Sequence, residues 1–232
     1  MRRVFTVLAL CLGFGPGLAS IAAETVPSTY SAGATFGTVV DPTGKPVEGA
    51  VVVAQWVTET GENGDRTGVL VVREAITDAS GQFRIEAWGP IQRPGNRTLD
   101  RMDPEVIVVK PGGLFWAGSN YGLAAPGDRL GLEHRDWLRN GSTIRLQSVK
   151  ANADEMDKQS PVYGIWSLLR QVIKSDDCKW TKVPRALASL EKDFGRVGRP
   201  SAEVRGSEFF ARTDCGSLVE FRGAYEGMRD RP

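Results

Sequence analysis

Short stretches of strand-forming side chains, separated by turn residues, fill the chain from Ala34 to Val149. Valine and other β-branched residues recur in these stretches, and glycine, proline and aspartate recur between them. The pattern predicts seven strands, at residues 34–40, 50–57, 69–76, 82–88, 105–110, 114–117 and 142–149. Because no helical period lies between these strands, we expect an antiparallel β-sandwich rather than a parallel sheet.

Two tight turns are the most specific local features of this region. Residues 37–50 read GTVVDPTGKPVEGA, and residues 77–83 read TDASGQF. In both stretches an aspartate, whose side chain accepts hydrogen bonds, precedes a glycine that tolerates a positive φ. We therefore predict turns at Asp41–Gly44 and Asp78–Gly81 that set the register of the sandwich. Longer loops are predicted at residues 58–68, 89–104 and 118–131, and a single helical turn at residues 132–138.

After Asn152 the hydrophobic period changes from that of a strand to that of a helix. One helical face consists of Val162, Ile165, Trp166, Leu169, Val172 and Ile173, and a second of Val183, Leu187, Leu190 and Phe194. A third, shorter helix is predicted at residues 201–211. We therefore expect a helical region over residues 150–222 and a polar tail over residues 223–232.

The amino terminus has the composition of a secretory signal peptide. Arg2 and Arg3 precede an apolar run over residues 4–12, and small residues offer cleavage after Ala22 or Ala23. We therefore predict a signal peptide over residues 1–23, a flexible leader over residues 24–33, and an exported chain that acts in the periplasm or outside the cell. No later apolar run is long enough to span a membrane, so no membrane span is expected after cleavage.

Two cysteines, Cys178 and Cys215, would remain after cleavage, because Cys11 lies in the predicted signal peptide. An even number of cysteines in an exported chain indicates a disulfide. Free thiols or a two-cysteine metal site are the alternatives, but no histidine lies near enough in sequence to complete a metal shell. We predict that a Cys178–Cys215 disulfide ties the helical region together and contributes about 4 kcal/mol.

The charge pattern argues against nucleic acid as a partner. The formal net charge of the whole chain is +1, from 29 basic and 28 acidic residues. Removal of Arg2 and Arg3 takes it to about −1, and the remaining charges are interspersed, with no basic stripe to bind a phosphate backbone.

The two turn motifs resemble those of the carboxypeptidase regulatory-like family. That family's pattern is G-x-V-x-D-x-x-G-x-P-x-x-G-A followed by T-D-x-x-G-x-F, which residues 37–50 and 77–83 match. The resemblance implies a transthyretin-like, seven-stranded β-sandwich over residues 34–149, of a kind that occurs beside metallocarboxypeptidase domains and in many exported bacterial proteins. The matching residues make turns and packing contacts, so the resemblance implies a fold and no activity. The helical region matches no family that we can name.

The single histidine, His134, limits the enzymes that the chain could be. The zinc site of metallocarboxypeptidases needs two histidines and a glutamate, and the intradiol dioxygenases of similar topology need two histidines and two tyrosines around iron. Both are excluded unless another chain contributes residues, and no Gly-x-Ser-x-Gly elbow is present. We interpret residues 133–136 as a solvated turn, and predict no catalytic residue, cofactor or metal site.

Paired carboxylates are the catalytic option that remains. Residues 154–157 and Asp176–Asp177 are acidic, and both are most simply explained as solvated surface. An enzyme reading of the chain would therefore be a hydrolase of cell-envelope material that uses carboxylates or the residues of a partner chain.

Aromatic residues in the predicted loops are the better candidates for binding. Trp116 and Tyr121 flank residues 118–120, and Trp88 begins another loop. Aromatic rings beside amide and hydroxyl groups suit sugar rings or a protein partner. The alternatives are that Trp116 covers the core and that an edge strand pairs with a partner. Our first hypothesis is an exported, non-enzymatic binding or assembly module with a protein or carbohydrate partner in the cell envelope.

Overall fold

The computed structural model describes residues 26–60, 64–121, 123, 134–148, 171–172 and 178–189. The described residues are mainly β, which confirms the predicted mainly-β content of the chain. The strands are β1 Thr29–Ala32, β2 Thr35–Val40, β3 Val51–Thr60, β4 Asp65–Ile76, β5 Gln82–Ile85, β6 Trp88–Gln92, β7 Thr98–Leu99, β8 Glu105–Lys110, β9 Leu114–Gly118, β10 Thr143–Arg145 and β11 Gln147–Ser148. A 3₁₀ helix at Lys179–Lys182 follows, and residues 171–172 and 184–189 are α-helical.

Three sheets are formed by these strands. The largest has six strands in the order β11-β9-β8-β3-β4, with β7 also paired to β3. A three-stranded sheet has the order β10-β2-β5, and β1 pairs with β6. All the strand pairs are antiparallel except β10–β2, which is parallel, so the prediction of an antiparallel arrangement is wrong for that pair.

The main core lies between the six-stranded and the three-stranded sheets. Its buried side chains come from both, including Val52, Trp56 and Val108 on one side and Val39 and Phe83 on the other. Because β3 and β8 are buried along almost their whole length, they carry continuous apolar sequence instead of the alternation of a one-sided strand.

The two predicted turns are confirmed, and they are built alike. The Oδ1 atom of Asp41 accepts hydrogen bonds from the Thr43 amide (2.8 Å), the Thr43 hydroxyl (2.6 Å) and the Lys45 amide (3.0 Å). Asp78 Oδ1 accepts the equivalent bonds from the Ser80 amide, the Ser80 hydroxyl and the Gln82 amide. These bonds to the ionised side chains lower the pKa of both aspartates, most of all the bonds from the Thr43 and Ser80 hydroxyls.

The second turn also fixes the register of β2. The Val39 amide donates to the Gly81 carbonyl oxygen at 2.7 Å, and the Val47 amide donates to the Val39 carbonyl oxygen at 3.0 Å. Gly81 has a φ of 76°, and a Cβ there would overlap the Val39 carbonyl oxygen. Glycine is therefore required at this position both by the backbone conformation and by the close approach of β2.

Several predicted boundaries differ from the structure. Eleven strands occur within the described residues where seven were predicted, because the predicted strands at 82–88 and 142–149 each divide in two and because β1 and β7 lie in predicted loops. The flexible leader predicted at residues 24–33 is wrong for β1, where Tyr30 is only 1% exposed. The loop predicted at 58–68 is mostly strand, since β3 continues to Thr60 and β4 begins at Asp65.

The helical turn predicted at residues 132–138 is absent from its described part. His134 instead forms a parallel bridge with Ser31, and the turn lies at residues 138–141. The Arg135 amide donates to the Ser31 carbonyl oxygen at 2.9 Å, so this segment is extended and tied to β1.

Most predictions for the two ends of the chain lie outside the described residues. These are the signal peptide, the acidic residues at 154–157 and 176–177, the third helix, the tail and Cys215. Cys178 lies directly before the 3₁₀ helix with a φ of 59°, and its disulfide with Cys215 stays a prediction. No helix among the described segments is long and apolar enough to cross a membrane.

Candidate functional site

Trp88 does not lie on the predicted binding surface. It is the first residue of β6, is 5% exposed, and packs edge to face on Trp56 with 5.1 Å between the ring centroids. A ring in this position belongs to the core, so the assignment of Trp88 to a ligand surface is wrong. The sequence was misleading because Gly89 and Pro90 follow Trp88 directly and are typical of a loop, whereas in the structure they belong to β6.

Trp116 and Tyr121 do not form one platform either. Trp116 lies in β9, half-buried against the core, and meets Trp137 edge to face at 6.5 Å. The alternative interpretation, in which Trp116 covers the core, is therefore correct. Tyr121 is 77% exposed and is the one member of the predicted set with a freely accessible ring.

Asn120 ties the segment before Tyr121 to two other parts of the chain. Its Nδ2 donates to the carbonyl oxygens of Asp103 (2.6 Å) and Asp136 (2.9 Å), and its Oδ1 accepts from the Leu138 amide at 2.9 Å. The side chain is 1% exposed and joins three backbone segments. The amide that the sequence suggested for binding a sugar or a protein partner is therefore used within the fold.

The contacts of His134 connect it to β1. Its Nδ1 lies 2.9 Å from the Ser31 hydroxyl, and both groups are exposed. Asp136, two residues after His134, accepts a hydrogen bond from the Gly33 amide at 2.6 Å. These two contacts connect β1 and Gly33, which follows it, to the segment at residues 134–136. The Asp136 carboxylate accepts from a backbone amide and not from the His134 imidazole.

Three carboxylates and one arginine form a cluster at one end of the large sheet, which we call the sealed carboxylate cluster: Asp100, Asp103, Glu105 and Arg66. Arg66 forms ion pairs with Glu105 at 2.7 Å and with Asp100 at 3.1 Å. Glu105 Oε2 also accepts a hydrogen bond from Gln55 Nε2 at 2.7 Å, in a buried environment. Each of these contacts occupies a charged or polar group that a ligand would otherwise be able to bind.

Asp103 is the most buried member of the sealed carboxylate cluster, with no exposed surface. Its Oδ2 accepts a hydrogen bond from the Val57 amide at 2.8 Å. Burial above all, and then the charges of Asp100 and Glu105, raise the pKa of Asp103 well above its usual range. This carboxyl group is inaccessible to a substrate, so its raised pKa reflects burial rather than catalysis.

An open cleft lies where the edges of the two main sheets meet the 3₁₀ helix, and we call it the edge cleft. Within the described residues, β4 pairs only with β3 and β5 only with β2, so each strand is the last of its sheet on this side. The cleft has a volume of about 680 Å³. It is lined by Leu70, Val71, Val72, Arg73, Glu74, Arg84, Ile85, Glu86, Lys179 and Lys182.

Glu74 connects β4 to the helical residues that follow the 3₁₀ helix. Its carboxylate oxygens accept hydrogen bonds from the Arg185 amide at 3.2 Å and the Ala186 amide at 3.3 Å. Arg185 Nη1 also lies 3.4 Å from Glu74 Oε1. These amides begin the helical residues 184–189, so Glu74 caps a helix that is 111 residues distant in sequence.

The environment of Glu74 changes its acidity. Its side chain is 5% exposed, and burial raises its pKa from 4.5 to about 7, against the opposing effect of the bonds from Ala186 and Arg185. The group therefore titrates near neutral pH. Its position at the wall of an open cleft distinguishes it from Asp103.

The other charged groups of the edge cleft are mostly basic. Arg84 forms an ion pair with Glu86 at 3.0 Å, with side chains that are 58% and 68% exposed. Arg73 Nη1 donates to the Glu86 carbonyl oxygen at 3.4 Å. Lys182 is exposed and has no ion pair within the described part of the chain. The arrangement can bind negative charge, and it contains no histidine, cysteine or serine nucleophile.

Sequence reasoning missed the residues of the edge cleft. Arg84 on β5 and Glu86 just after it alternate with the buried Phe83 and Ile85, which indicates outward-facing side chains. That local signal does not show that the edge of a second sheet lies beside them. No group of three or more histidine, cysteine, aspartate or glutamate side chains that could hold a metal ion occurs among the residues that the structure describes.

Comparisons with known proteins add little. No family model and no curated protein matches the chain. Chlorocatechol 1,2-dioxygenase from Pseudomonas putida is similar over 51% of this chain and 59% of that chain, with 14% identity and a TM-score of 0.28. The dioxygenase domain of a dioxygenase carbohydrate-binding protein fusion from Streptomyces sp. SirexAA-E is similar over 53% and 82%, with 20% identity and a TM-score of 0.29. At these TM-scores the similarity carries no argument about this chain.

Proposed function

We propose that the chain is an exported, non-enzymatic binding or assembly module of the cell envelope, with the edge cleft as its binding site. Its fold would be a transthyretin-like sandwich of the carboxypeptidase regulatory-like kind over residues 34–149, followed by a helical region tied by Cys178 and Cys215. The paired aspartate turns support this fold, because residues 37–50 and 77–83, which resemble the two motifs of that family, are hydrogen-bonded to each other.

The observation that carries the proposal is the edge cleft itself. It lies at the junction of three elements, it is about 680 Å³ in volume, and it is lined by four basic side chains. Pockets of roughly 300–1,000 Å³ with a few convergent polar groups are the usual form of ligand sites. The site thus moves from the predicted loop aromatics to the sheet edges, which the sequence also suggested as a place for a partner.

A cell-envelope hydrolase is the second candidate, and Glu74 is the observation that favours it. A carboxyl group with a pKa of about 7 in a cleft beside a second carboxylate, Glu86, is a feature of acid–base catalysis. However, the oxygens of Glu74 accept bonds from the amides of Arg185 and Ala186, and Glu86 is paired with Arg84. We therefore rank binding above hydrolysis.

Site-directed photo-crosslinking in the cells that produce the chain tests the proposal. A photoreactive amino acid replaces Lys182 in the edge cleft, and the same group replaces Tyr121 or Lys45 as matched exposed positions outside it. We expect a discrete adduct from position 182 that the other two positions do not give. An adduct from position 121 alone would move the site back to the aromatic loop, and the same adducts from all three positions would contradict a specific site.

Mass analysis of the purified exported chain tests the processing. We expect a chain that begins at Ala23 or Glu24 and carries a disulfide between Cys178 and Cys215. A chain that retains Met1, or one with two free thiols under non-reducing conditions, would contradict the corresponding part of the proposal.

A further inference from the structure

The charge balance of the edge cleft differs from that of the chain as a whole. The chain is nearly neutral, with 29 basic and 28 acidic residues. The cleft lining has four basic side chains, Arg73, Arg84, Lys179 and Lys182, and two acidic ones, so its formal excess is two positive charges. The excess of positive charge is therefore specific to the lining of the edge cleft and is not shared by the chain as a whole.

The basic groups come from three separate elements. Arg73 belongs to β4, Arg84 belongs to β5, and both lysines belong to the 3₁₀ helix. Because three elements that line the same cleft contribute these groups, a single ligand in the cleft can contact several of them at once. Such contacts favour a ligand with more than one negative group.

The two acidic groups of the described lining do not cancel this field. The Arg84–Glu86 pair is exposed on both sides, and exposed pairs contribute little, so Arg84 can exchange Glu86 for a ligand anion. Glu74 is directed to the Arg185 and Ala186 amides. Its burial raises its pKa to about 7, so part of the population carries no charge there at neutral pH.

Apolar side chains complete the lining. Leu70 and Val71 of β4 are half-buried and Ile85 of β5 is buried, so apolar side chains share the lining with the basic groups. The volume of about 680 Å³ is that of a site for a small molecule. A ligand with an organic body and charged ends fits this combination better than a free inorganic ion.

We propose that the edge cleft binds a small organic polyanion, with two or more carboxylate or phosphate groups on a compact organic body. This inference rests on the proposed function, since it names the ligand class of the same site. Basic residues on sheet edges also protect proteins against edge-to-edge pairing, and that role predicts no saturable ligand binding. The two roles therefore differ in a measurable property.

Isothermal titration calorimetry at 0.15 M salt with the exported chain, disulfide intact, tests the proposal. Citrate supplies the carboxylate arm, inositol hexakisphosphate supplies the phosphate arm, and glucose is the uncharged control. We expect one-to-one saturable binding of at least one polyanion and none of glucose. The arm with the tighter binding identifies the charged group, and binding of neither polyanion below about 10 mM would overturn the inference.

Matched variants locate the binding. Lys182→Ala removes an exposed charge inside the edge cleft, and Lys45→Ala removes an exposed charge in the first aspartate turn, outside it. We expect Lys182→Ala to weaken binding about ten-fold and Lys45→Ala to change it less than about two-fold. Equal losses in both variants would show non-specific charge attraction and would contradict the inference. Unfolding curves of both variants check that neither is destabilised.

The photo-crosslinking result separates this inference from the proposed function. A discrete adduct at position 182 without polyanion binding would leave the binding module in place and refute the ligand class. Polyanion binding that Lys182→Ala weakens, without an adduct, would support the ligand class and refute an assembly role through a protein partner.

Discussion

Both the sealed carboxylate cluster and the edge cleft contain a carboxyl group whose pKa is raised by burial, yet they differ in what those groups face. Asp103 is fully buried and accepts the Val57 amide, within a cluster whose arginine is already paired. Glu74 lies in the wall of an open cleft beside four basic side chains. A raised pKa alone therefore indicates burial, whereas an open cleft lined mainly by basic side chains is the better candidate for binding.

The largest effect is expected at the sealed carboxylate cluster. Asp103→Ala should reduce the free energy of unfolding by about 2–4 kcal/mol, because it leaves the Val57 amide without its acceptor and opens a void. Asp103→Asn keeps an acceptor of the same shape and should lose less than about half as much. Denaturant unfolding measures both. An unchanged free energy of unfolding in Asp103→Ala would contradict the buried position of Asp103 at this end of the sheet.

The substitution Glu74→Gln tests how the buried carboxyl group of the edge cleft affects the pH dependence of stability. The folded pKa of Glu74 is raised from 4.5 to about 7, so the folded state holds a proton that the unfolded state releases. The stabilisation of the folded state by this bound proton is complete below pH 4.5 and is lost as pH rises through 7. The free energy of unfolding falls by about 3 kcal/mol over this range.

Denaturant unfolding of the wild type and of Glu74→Gln from pH 4.5 to 8 isolates this effect. Asp103 and Glu59, whose pKa values are also raised by burial, contribute the same trend to both proteins and cancel in the difference. We expect the variant to gain stability relative to the wild type as pH rises. A difference that stays constant over this range would contradict the buried position of Glu74.

Substitution of one arginine in each region by methionine compares how much the ion pairs of the sealed carboxylate cluster and of the edge cleft contribute to stability. Arg66→Met should cost about 1–2 kcal/mol, because it removes the ion-pair partner of Glu105, whose side chain is 9% exposed. Arg84→Met should change stability by less than about 0.5 kcal/mol, because both members of its pair are exposed. Thermal unfolding measures both, and equal effects would remove the distinction between a closed and an open charge cluster.

The smallest effect is expected at the aromatic loop. Tyr121→Ala should leave both the stability, within about 0.5 kcal/mol, and the polyanion affinity unchanged, because the ring is 77% exposed and lies outside the edge cleft. Calorimetry and thermal unfolding check the two quantities. A loss of affinity comparable to that of Lys182→Ala would transfer the site to the loop.

The sequence predicted what depends on a few neighbouring residues. Asp41 and Asp78 bind amides within four positions of themselves, so their turns could be recognised from composition and spacing. The long valine-rich strands β3 and β8 were equally visible. In contrast, β1 and β7 have four and two residues, too few for a period to be seen.

What the sequence could not show depends on distant contacts. Nothing in the residues around Ile144 indicates that β10 pairs with β2 in parallel. Trp88 begins a predicted loop and Tyr121 lies in one, and only the packing of Trp88 on Trp56 separates a core ring from an exposed one. The edge cleft joins residues 70–86 to residues 179–182, and no local pattern predicts their meeting.

Amide hydrogen exchange of the exported chain, with and without the tighter-binding of citrate and inositol hexakisphosphate, tests most directly whether the edge cleft is the binding site. We predict slower exchange at residues 70–74, 84–86 and 179–182 on saturation, and no change at residues 119–121. Protection at 119–121 alone, or no protection anywhere at saturating ligand, would contradict the account.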